Sequence, residues 1–448
     1  MCESYHPQSC DTPDPTAAGF TRRRFMGHGL GLISAAATVP AFLMRAGDAL
    51  AADTTMRLSS KPGVPDDRVL VVVQLSGGND GLNTVIPFGN NLYYKNRPSL
   101  GIKEDQVLTI DGVDGVGLHP ALAPIREMMD AGLAGVVQGV GYPNPNRSHF
   151  ASMDIWHTAN AGSENGGGQG GRGWIGSALD HLDSPTGLDC LSIGNDAPLA
   201  TLGHTSRPVS FEKAQLFRWA GRDLDQAVSK TYDQVQHVPV NADHPLEDPG
   251  HDDPLAFINR TALDAQVASQ RVRKAVWLKS ETKWPKNGLA NQLQMVAKMI
   301  RAELPTRVYY VAMGGFDTHA NQANNHQRLM QQFAQSMKAF YDELEASGQR
   351  SRVVSMAFSE FGRRVRQNAS GGTDHGCAGP TFVFGDHVNA GILGKHPSLD
   401  KLQSGDLIHS VDFRSLYTDL LEGWMKLDAK AALGRRFPSA GILRGAAV

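Results

Sequence analysis

Arg68-Val-Leu-Val-Val-Val-Gln-Leu75 runs directly into Ser76-Gly-Gly-Asn-Asp-Gly-Leu-Asn-Thr84, and these two stretches together indicate the fold. The first is a continuous apolar, β-branched run, which is typical of a strand that other elements cover on both faces. The second is rich in glycine and polar side chains, as loops at strand ends are. In open α/β sheets, ligands bind beyond the carboxyl ends of the strands, so the second stretch is a candidate site.

The rest of the chain repeats this alternation of strand-like and helix-like segments. Further apolar runs of strand character lie at 135–140, 307–313, 352–358 and 380–384. Helical patterns lie at 121–131, 148–158, 321–344 and 413–427. The alternation predicts an α/β fold with a mostly parallel central sheet and helices on both faces. We expect one such domain over 52–448, with an insertion or cap around 204–290.

The first fifty residues have the pattern of an export signal. Thr21-Arg-Arg-Arg-Phe-Met26 precedes a weakly apolar run rich in Gly and Ala, and Ala49-Leu-Ala51 offers a cleavage site. Paired arginines here predict a twin-arginine signal over 1–51, recognition by the twin-arginine export machinery, and a periplasmic or secreted protein. The alternative is an N-terminal membrane anchor, which the weak hydrophobicity disfavours. We therefore expect no stable membrane span after cleavage.

Composition excludes several classes of function. The chain has 448 residues, 43 Lys and Arg against 45 Asp and Glu, and a net charge of -2, so a basic footprint for nucleic acid is absent. No Cys-x-x-Cys pair occurs, which argues against a thiol redox motif or a cysteine zinc site. Cys190 and Cys377 remain after signal cleavage, and the sequence leaves open whether they pair.

Four polar groups follow predicted strands and combine carboxylates, imidazoles and glycines. The candidate metal ligands in them are Asp80, Asp317, His319, Glu360, Asp374 and His375. Carboxylate and His ligands without cysteine suit a divalent ion such as Zn²⁺ or Mn²⁺. Three of the groups also have a plain structural interpretation: Asp80 as a turn former, Asp317 and His319 as part of a helix cap, and Glu360 as an ion-pair partner of a nearby arginine. His375 beside Asp374 in a glycine-rich loop is harder to explain as structure.

A fifth group, Asn144-Pro-Asn-Arg-Ser-His-Phe150, opens a predicted helix after the strand at 135–140. Ser148 would lie at the helix N-terminus, where free backbone N–H groups favour an anionic ester, and a nearby dication would make it a nucleophile. An ordinary N-cap serine is the other interpretation. Arg147 is a candidate to steady a phosphate or sulfate group.

Taken together, these motifs resemble a large bacterial family of exported proteins of unknown function, which is similar to the alkaline phosphatase/sulfatase superfamily. The resemblance covers roughly residues 68–427. It rests on the twin-arginine leader together with Gly77-Gly-Asn-Asp-Gly-Leu-Asn83, Arg147-Ser-His-Phe150, Phe316-Asp-Thr-His319, Ser359-Glu-Phe-Gly-Arg363, Gly372-Thr-Asp-His-Gly376 and Val411-Asp-Phe-Arg-Ser-Leu-Tyr417.

The resemblance implies roles for individual residues. Asp80 matches a ligand of one metal, and Asp317, His319 and His375 match ligands of another. Ser148 matches the nucleophile, with Arg363 or Arg147 neutralising charge on the ester. Glu360 stands where the superfamily has the Asp of an Asp-His pair, but Phe361 replaces the His. One metal site is therefore short of a ligand unless Asp374, Asn83 or water completes it, and one or two ions are possible.

Three functions remain open from the sequence. The first is a metal-dependent hydrolase of phosphate or sulfate esters that uses a serine nucleophile. The second, favoured by Phe361, is a non-catalytic protein on the same scaffold that binds carbohydrate or the cell envelope. The third is a serine esterase without metal, although the chain lacks a Gly-x-Ser-x-Gly elbow.

Overall fold

The computed structural model describes residues 67–160, 171–182, 188–194, 196–206, 208–212 and 271–445. The expected signal over 1–51 and most of the expected insertion around 204–290 lie outside the described residues. The domain boundaries therefore stay predictions.

A nine-stranded mixed sheet forms the centre of the described fold. The strands of this sheet are β1 (Val69–Leu75), β5 (Ala134–Gly141), β6 (Cys190–Ile193), β7 (Val209–Phe211), β8 (Val308–Met313), β9 (Val353–Phe358), β10 (Gly379–Phe384), β11 (Gly391–Leu393) and β14 (Val411–Asp412). Their order is β11-β5-β10-β9-β1-β8-β6-β7, and β14 pairs with the end of β5. All pairs are parallel except those made by β10, which runs antiparallel to β5 and β9. Two small sheets accompany it, formed by β2 (Val85–Ile86), β3 (Leu108–Ile110) and β4 (Val113–Leu118), and by β12 (Leu402–Gln403) and β13 (Asp406–Leu407).

Helices cover both faces of the central sheet. The α-helices that lie wholly within the described residues are α1 (Gly81–Thr84), α2 (Asn91–Asn96), α3 (Ala123–Asp130), α4 (His149–Thr158), α5 (Trp174–Leu179), α6 (Gly288–Arg301), α7 (Gln322–Ala346), α8 (Phe413–Thr418) and α9 (Ala429–Leu433). A π-helical segment, Asp419–Met425, continues α8. Val71 and Val73 of β1 pack with α3, α6 and α7, whereas Leu70 and Val72 pack with α4, α5, α8 and α9. The alternating side chains of one strand thus feed two cores, as expected of a strand buried on both faces.

These observations confirm the predicted α/β class, with helices on both faces of a mostly parallel sheet. The five predicted strands and four predicted helical segments all form within a few residues of the expected bounds. The sequence patterns did not predict the reversed direction of β10, the central-sheet strands β6, β7, β11 and β14, the two small sheets, or the helices α1, α2, α5, α6 and α9. The unforeseen strands are short, between two and six residues, and short apolar runs carry little periodic signal.

The topology brings several loops to one edge of the sheet. Strands β9, β1 and β8 are parallel neighbours, and Leu75 is in register with Met313 while Gln74 is in register with Phe358. The loops that begin at residues 76, 314 and 359 therefore leave the sheet side by side. Strand β5 runs in the same direction as β9, because both are antiparallel to β10. The segment that leads from β5 into α4 thus starts at the same edge.

Two further findings concern the helices and the cysteines. Among the described residues, no helix is both long enough and apolar enough to cross a membrane. Cys190 and Cys377 are free thiols rather than a disulfide, and Cys190 is buried in β6.

Candidate metal centre

Three imidazoles and one carboxylate converge where β8 ends and α4 begins. The Oδ1 atom of Asp317 lies 3.0 Å from Nε2 of His319, 3.1 Å from Nε2 of His375 and 3.5 Å from Nε2 of His149. Ligand atoms of His149, Asp317 and His375 all lie within 4.8 Å of one another. The sequence predicted three of these four residues as ligands, and the fold gathers all three.

The other ring nitrogen of each histidine faces an oxygen that can only accept a hydrogen bond. Nδ1 of His149 lies 2.7 Å from Glu360 Oε1, Nδ1 of His319 lies 3.2 Å from Asp374 Oδ1, and Nδ1 of His375 lies 2.8 Å from the carbonyl oxygen of Arg147. A carboxylate or carbonyl acceptor places the ring proton on Nδ1 in each case. The three Nε2 atoms therefore present lone pairs to the same point.

This arrangement fits a bound divalent cation. Nε2 of His319 and Nε2 of His375 are only 2.9 Å apart, and Nε2 of His149 is buried without a hydrogen-bond partner. Converging lone pairs beside a carboxylate repel one another unless a proton or a metal ion lies between them. Imidazole and carboxylate donors suit Zn²⁺, and hydrogen bonds from ring Nδ1 to oxygen are the usual outer support of metal-binding histidines.

Glu360 and Asp374, expected from the sequence as ligands, contact the far side of the imidazoles instead. Glu360 is buried after β9, and its Oε1 also accepts a hydrogen bond from the backbone N–H of Gly77 at 2.8 Å. Phe361, which follows it, is buried against the rings of His149 and His375, with centroids 4.9 and 4.8 Å away. The phenyl ring fixes the plane of both imidazoles.

Arg363 holds together three loops that carry the centre. Its guanidinium is fully buried, and each of its three nitrogen atoms donates to a protein oxygen. One of these bonds, 2.6 Å long, goes to Oδ1 of Asp317. Partial burial raises the pKa of Asp317, but this bond and the positive charge outweigh it and lower the pKa to about 2. Arg363 thus acts through Asp317, and its burial keeps it away from a substrate.

Asp80 lies apart from the four converging groups. It is fully buried, forms a 2.5 Å ion pair with Arg97, accepts a hydrogen bond from the side chain of Gln322, and caps α1 through the N–H of Asn83. Burial raises its pKa, but the charge of Arg97 and the hydrogen bonds prevail and lower it. Its carboxylate is thereby saturated by protein donors.

Ser148 and Arg147 sit at the entrance to α4. Ser148 is exposed and its side chain makes no capping hydrogen bond, although the residue occupies the N-cap position. Arg147 donates from its guanidinium to the buried carboxylate of Asp406. The serine hydroxyl is thus free beside His149, whereas the arginine is paired.

His149 is the residue that the sequence interpretation missed. It directly follows Ser148, and the helix start there was interpreted only through the serine. The available signal was a histidine in the first turn of a helix that begins at the same sheet edge as the other candidate ligands. With His149 present, the missing histidine at Phe361 no longer leaves the centre one ligand short.

The site and fold together define an α/β protein with a candidate mononuclear metal centre. The chain belongs to the family described as protein of unknown function (DUF1501), whose model matches residues 67–431. No curated protein matches the chain.

Several solved structures are similar to this chain at a distance. The C-terminal periplasmic domain of EcEptC from Escherichia coli, in complex with Zn, is 9% identical over 71% of this chain and 73% of that one, with a TM-score of 0.29. A putative sulfatase from Bacteroides thetaiotaomicron is 8% identical over 83% and 75%, with a TM-score of 0.32. A variant of the alkaline phosphatase PafA is 11% identical over 66% and 63%, with a TM-score of 0.27. These neighbours include a putative sulfatase and an alkaline phosphatase, but at such scores the similarity assigns neither a superfamily nor a ligand to this chain.

Proposed function

We propose that this protein is an exported, metal-dependent hydrolase of phosphate or sulfate esters that uses Ser148 as its nucleophile. The observation that carries the proposal is the convergence of His149, His319, His375 and Asp317, each imidazole held with its Nε2 toward the same point. This donor set suits Zn²⁺ better than Mn²⁺, because nitrogen ligands predominate. When bound, the ion would supply a Lewis acid that polarises the ester and lowers the pKa of a nearby hydroxyl.

The chain's own residues position the nucleophile. Ser148 is exposed, without a capping hydrogen bond, and adjacent in sequence to His149. The N-terminal turn of α4 offers unpaired backbone N–H groups to the oxygens of an ester. Attack by the hydroxyl oxygen would form a seryl ester and break the bond to the leaving alcohol, which takes up a proton. Water would then release phosphate or sulfate and restore the serine.

The serine esterase receives less support from this geometry. Glu360 and His149 do form a carboxylate–imidazole pair at 2.7 Å. In an esterase, however, Nε2 of that histidine would accept a hydrogen bond from the serine hydroxyl. Nε2 of His149 has no such partner, so Ser148 is not activated by it in this structure.

The proposal of export rests on the N-terminal leader sequence and not on the described fold. The Arg22-Arg23-Arg24 motif and the Ala49-Leu-Ala51 site support delivery of the folded protein to the periplasm or beyond by the twin-arginine machinery. A protein exported after folding can acquire its metal before translocation, which suits a centre assembled from several distant loops.

Elemental analysis of the mature protein, purified after export, tests the proposal. We expect about one equivalent of zinc in the wild type. The ion should be lost in Asp317→Ala, His149→Ala and His375→Ala and retained in His204→Ala, which removes an exposed histidine outside the centre. Ser148→Ala should keep the metal and lose turnover of phosphate and sulfate esters.

Two outcomes separate the alternatives. A folded wild-type protein that is metal-free and takes up no added zinc or manganese would exclude the hydrolase and favour the non-catalytic binding protein. Ester turnover that survives chelation and disappears in Ser148→Ala would instead support the esterase.

A further inference from the structure

The fixed charges around the centre point to its substrate class. We propose that the centre selects a monoanionic ester, a sulfate monoester or a phosphodiester, over a dianionic phosphate monoester; this inference rests on the proposed function. Within the described residues, the charged side chains that contact the centre or its supporting groups set its net charge.

Four carboxylates belong to this set. Asp317 is one of the converging groups, and Glu360 and Asp374 hold the imidazoles of His149 and His319. The fourth, Asp406, is fully buried and forms an ion pair with the guanidinium group of Arg147.

Three guanidinium groups oppose these carboxylates, and each is engaged with protein oxygens. Arg363 is fully buried, and every one of its nitrogens donates to the protein. Arg147 donates to one carboxylate oxygen of Asp406, and Nε of Arg364 lies 3.8 Å from the other. Asp406 therefore lies between the guanidinium groups of Arg147 and Arg364 and offsets part of their charge.

The balance of these groups sets the charge that a substrate must bring. Four carboxylates and three guanidiniums leave one negative charge, and one dication turns this into one positive charge. A monoanionic ester then gives a neutral complex. A dianion leaves one negative charge uncompensated at this half-exposed site, which weakens its binding.

This net charge holds only if the centre binds one metal ion and not two. Within the described ranges, the cluster of His149, Asp317 and His375 is the one group of at least three His, Cys, Asp or Glu whose ligand atoms lie close enough to hold an ion. Asp80, which would belong to a second site, is paired with Arg97. A second ion would raise the charge by two units and reverse the preference.

Equilibrium binding of unreactive ligands tests the inference without relying on turnover. Zinc-loaded protein would be titrated calorimetrically at about pH 9 with phenylphosphonate, which is then a dianion, with its methyl monoester, and with benzenesulfonate. We expect both monoanions to bind about tenfold more tightly than the dianion, or better. The tighter of the two monoanions indicates whether phosphodiesters or sulfate esters are preferred.

Charge variants give the second arm of the test. Asp406→Asn releases Arg147 and adds one positive charge, so it should tighten binding of the dianion about tenfold while changing the monoanions less. Asp374→Asn, at an exposed carboxylate, should shift the preference the same way and covers the case in which Asp406→Asn does not fold. Asp114→Asn removes an exposed carboxylate of β4 and should change neither the affinity for the dianion nor the affinity for the monoanions.

The outcomes distinguish this inference from the proposed function. Tightest binding of the dianion by wild type, or an unchanged preference in both charge variants, would overturn the charge assignment alone. Metal-loaded protein that binds none of the three ligands would overturn the ester-binding function and the charge assignment together. Binding of the monoanions without turnover of any ester would sustain the charge assignment and contradict the hydrolase.

Discussion

Single residues decide whether the three imidazoles act as ligands. Asp317, His319 and His375 were predicted from their places after strands, and the fold brings them within 3.1 Å of one another. Glu360 and Asp374 were predicted in the same way but support the histidines from behind. Residue type and strand position could identify the members of the group. Only the side-chain geometry could separate the residues that face the metal position from the carboxylates that bind the opposite ring nitrogen of the histidines.

Glu360→Gln tests the supporting role of this carboxylate. Glutamine keeps an acceptor near Nδ1 of His149 but removes the charge that makes the imidazole a stronger donor to the metal. We expect zinc affinity to fall by roughly 10- to 100-fold, the usual effect of losing such a support. Competition with a chromophoric chelator would measure it.

Glu345→Gln is the matched control, because Glu345 is an exposed acid of α7 that pairs with Arg350. Equal zinc affinity in wild type and Glu360→Gln would show that the Glu360–His149 contact does not tune the centre.

At the scale of elements, the loops after β1 and β8 must approach closely. Gly77 has a φ of 119°, and a β-carbon there would lie 2.4 Å from the backbone nitrogen of Asp317. Its N–H also binds Glu360. The glycine therefore permits the contact between two loops of the centre, in a conformation that L residues rarely adopt.

Gly77→Ala should destabilise the protein by roughly 2–4 kcal/mol and displace Asp317, because backbone strain and a backbone clash add. Gly112→Ala provides the comparison, since Gly112 also has a positive φ, 77°, but has no atom within 4 Å of the added carbon. The Gly112→Ala variant should lose only about 1 kcal/mol of its free energy of unfolding. Urea unfolding with zinc titration would measure both, and equal losses in the two variants would refute the close-approach argument.

The element prediction succeeded for the long strands and missed the short ones, and among the helices it also missed the 14-residue α6. The length of the apolar run from Val69 to Leu75, and of the runs that form β5, β8, β9 and β10, was enough to predict these strands. The spacing of apolar residues predicted the helix Gln322–Ala346. The direction of β10 depends on pairing with strands distant in the sequence, which composition does not encode. The ion pair of Asp80 with Arg97 is equally non-local in origin, since it requires α2 to pack beside the strand ends.

At the scale of the whole molecule, buried neutral histidines should make the fold sensitive to acid. Burial lowers the pKa of His157 to about 4, of His326 to about 4 and of His119 to about 3. The unfolded chain has a histidine pKa of about 6.5, so it binds more protons than the native state between these values. Stability should therefore be full above about pH 6.5 and should fall as the pH drops toward 4.

Urea unfolding of the metal-free protein between about pH 7.5 and 4.5 would show this decline. In His157→Gln, which removes one buried histidine near Gln74 and Tyr310, the decline should be shallower even if the variant is less stable overall. A parallel slope in wild type and variant would mean that His157 is not the neutral buried group described here.

The central claim is that one divalent ion occupies the point to which His149, His319, His375 and Asp317 converge. Crystals of the mature, exported protein, measured on both sides of the zinc absorption edge, would test it most directly. We expect a single anomalous peak about 2.0–2.2 Å from the three Nε2 atoms and from a carboxylate oxygen of Asp317. Zinc-soaked crystals with no peak there, or with a peak at Asp80 instead, would contradict it.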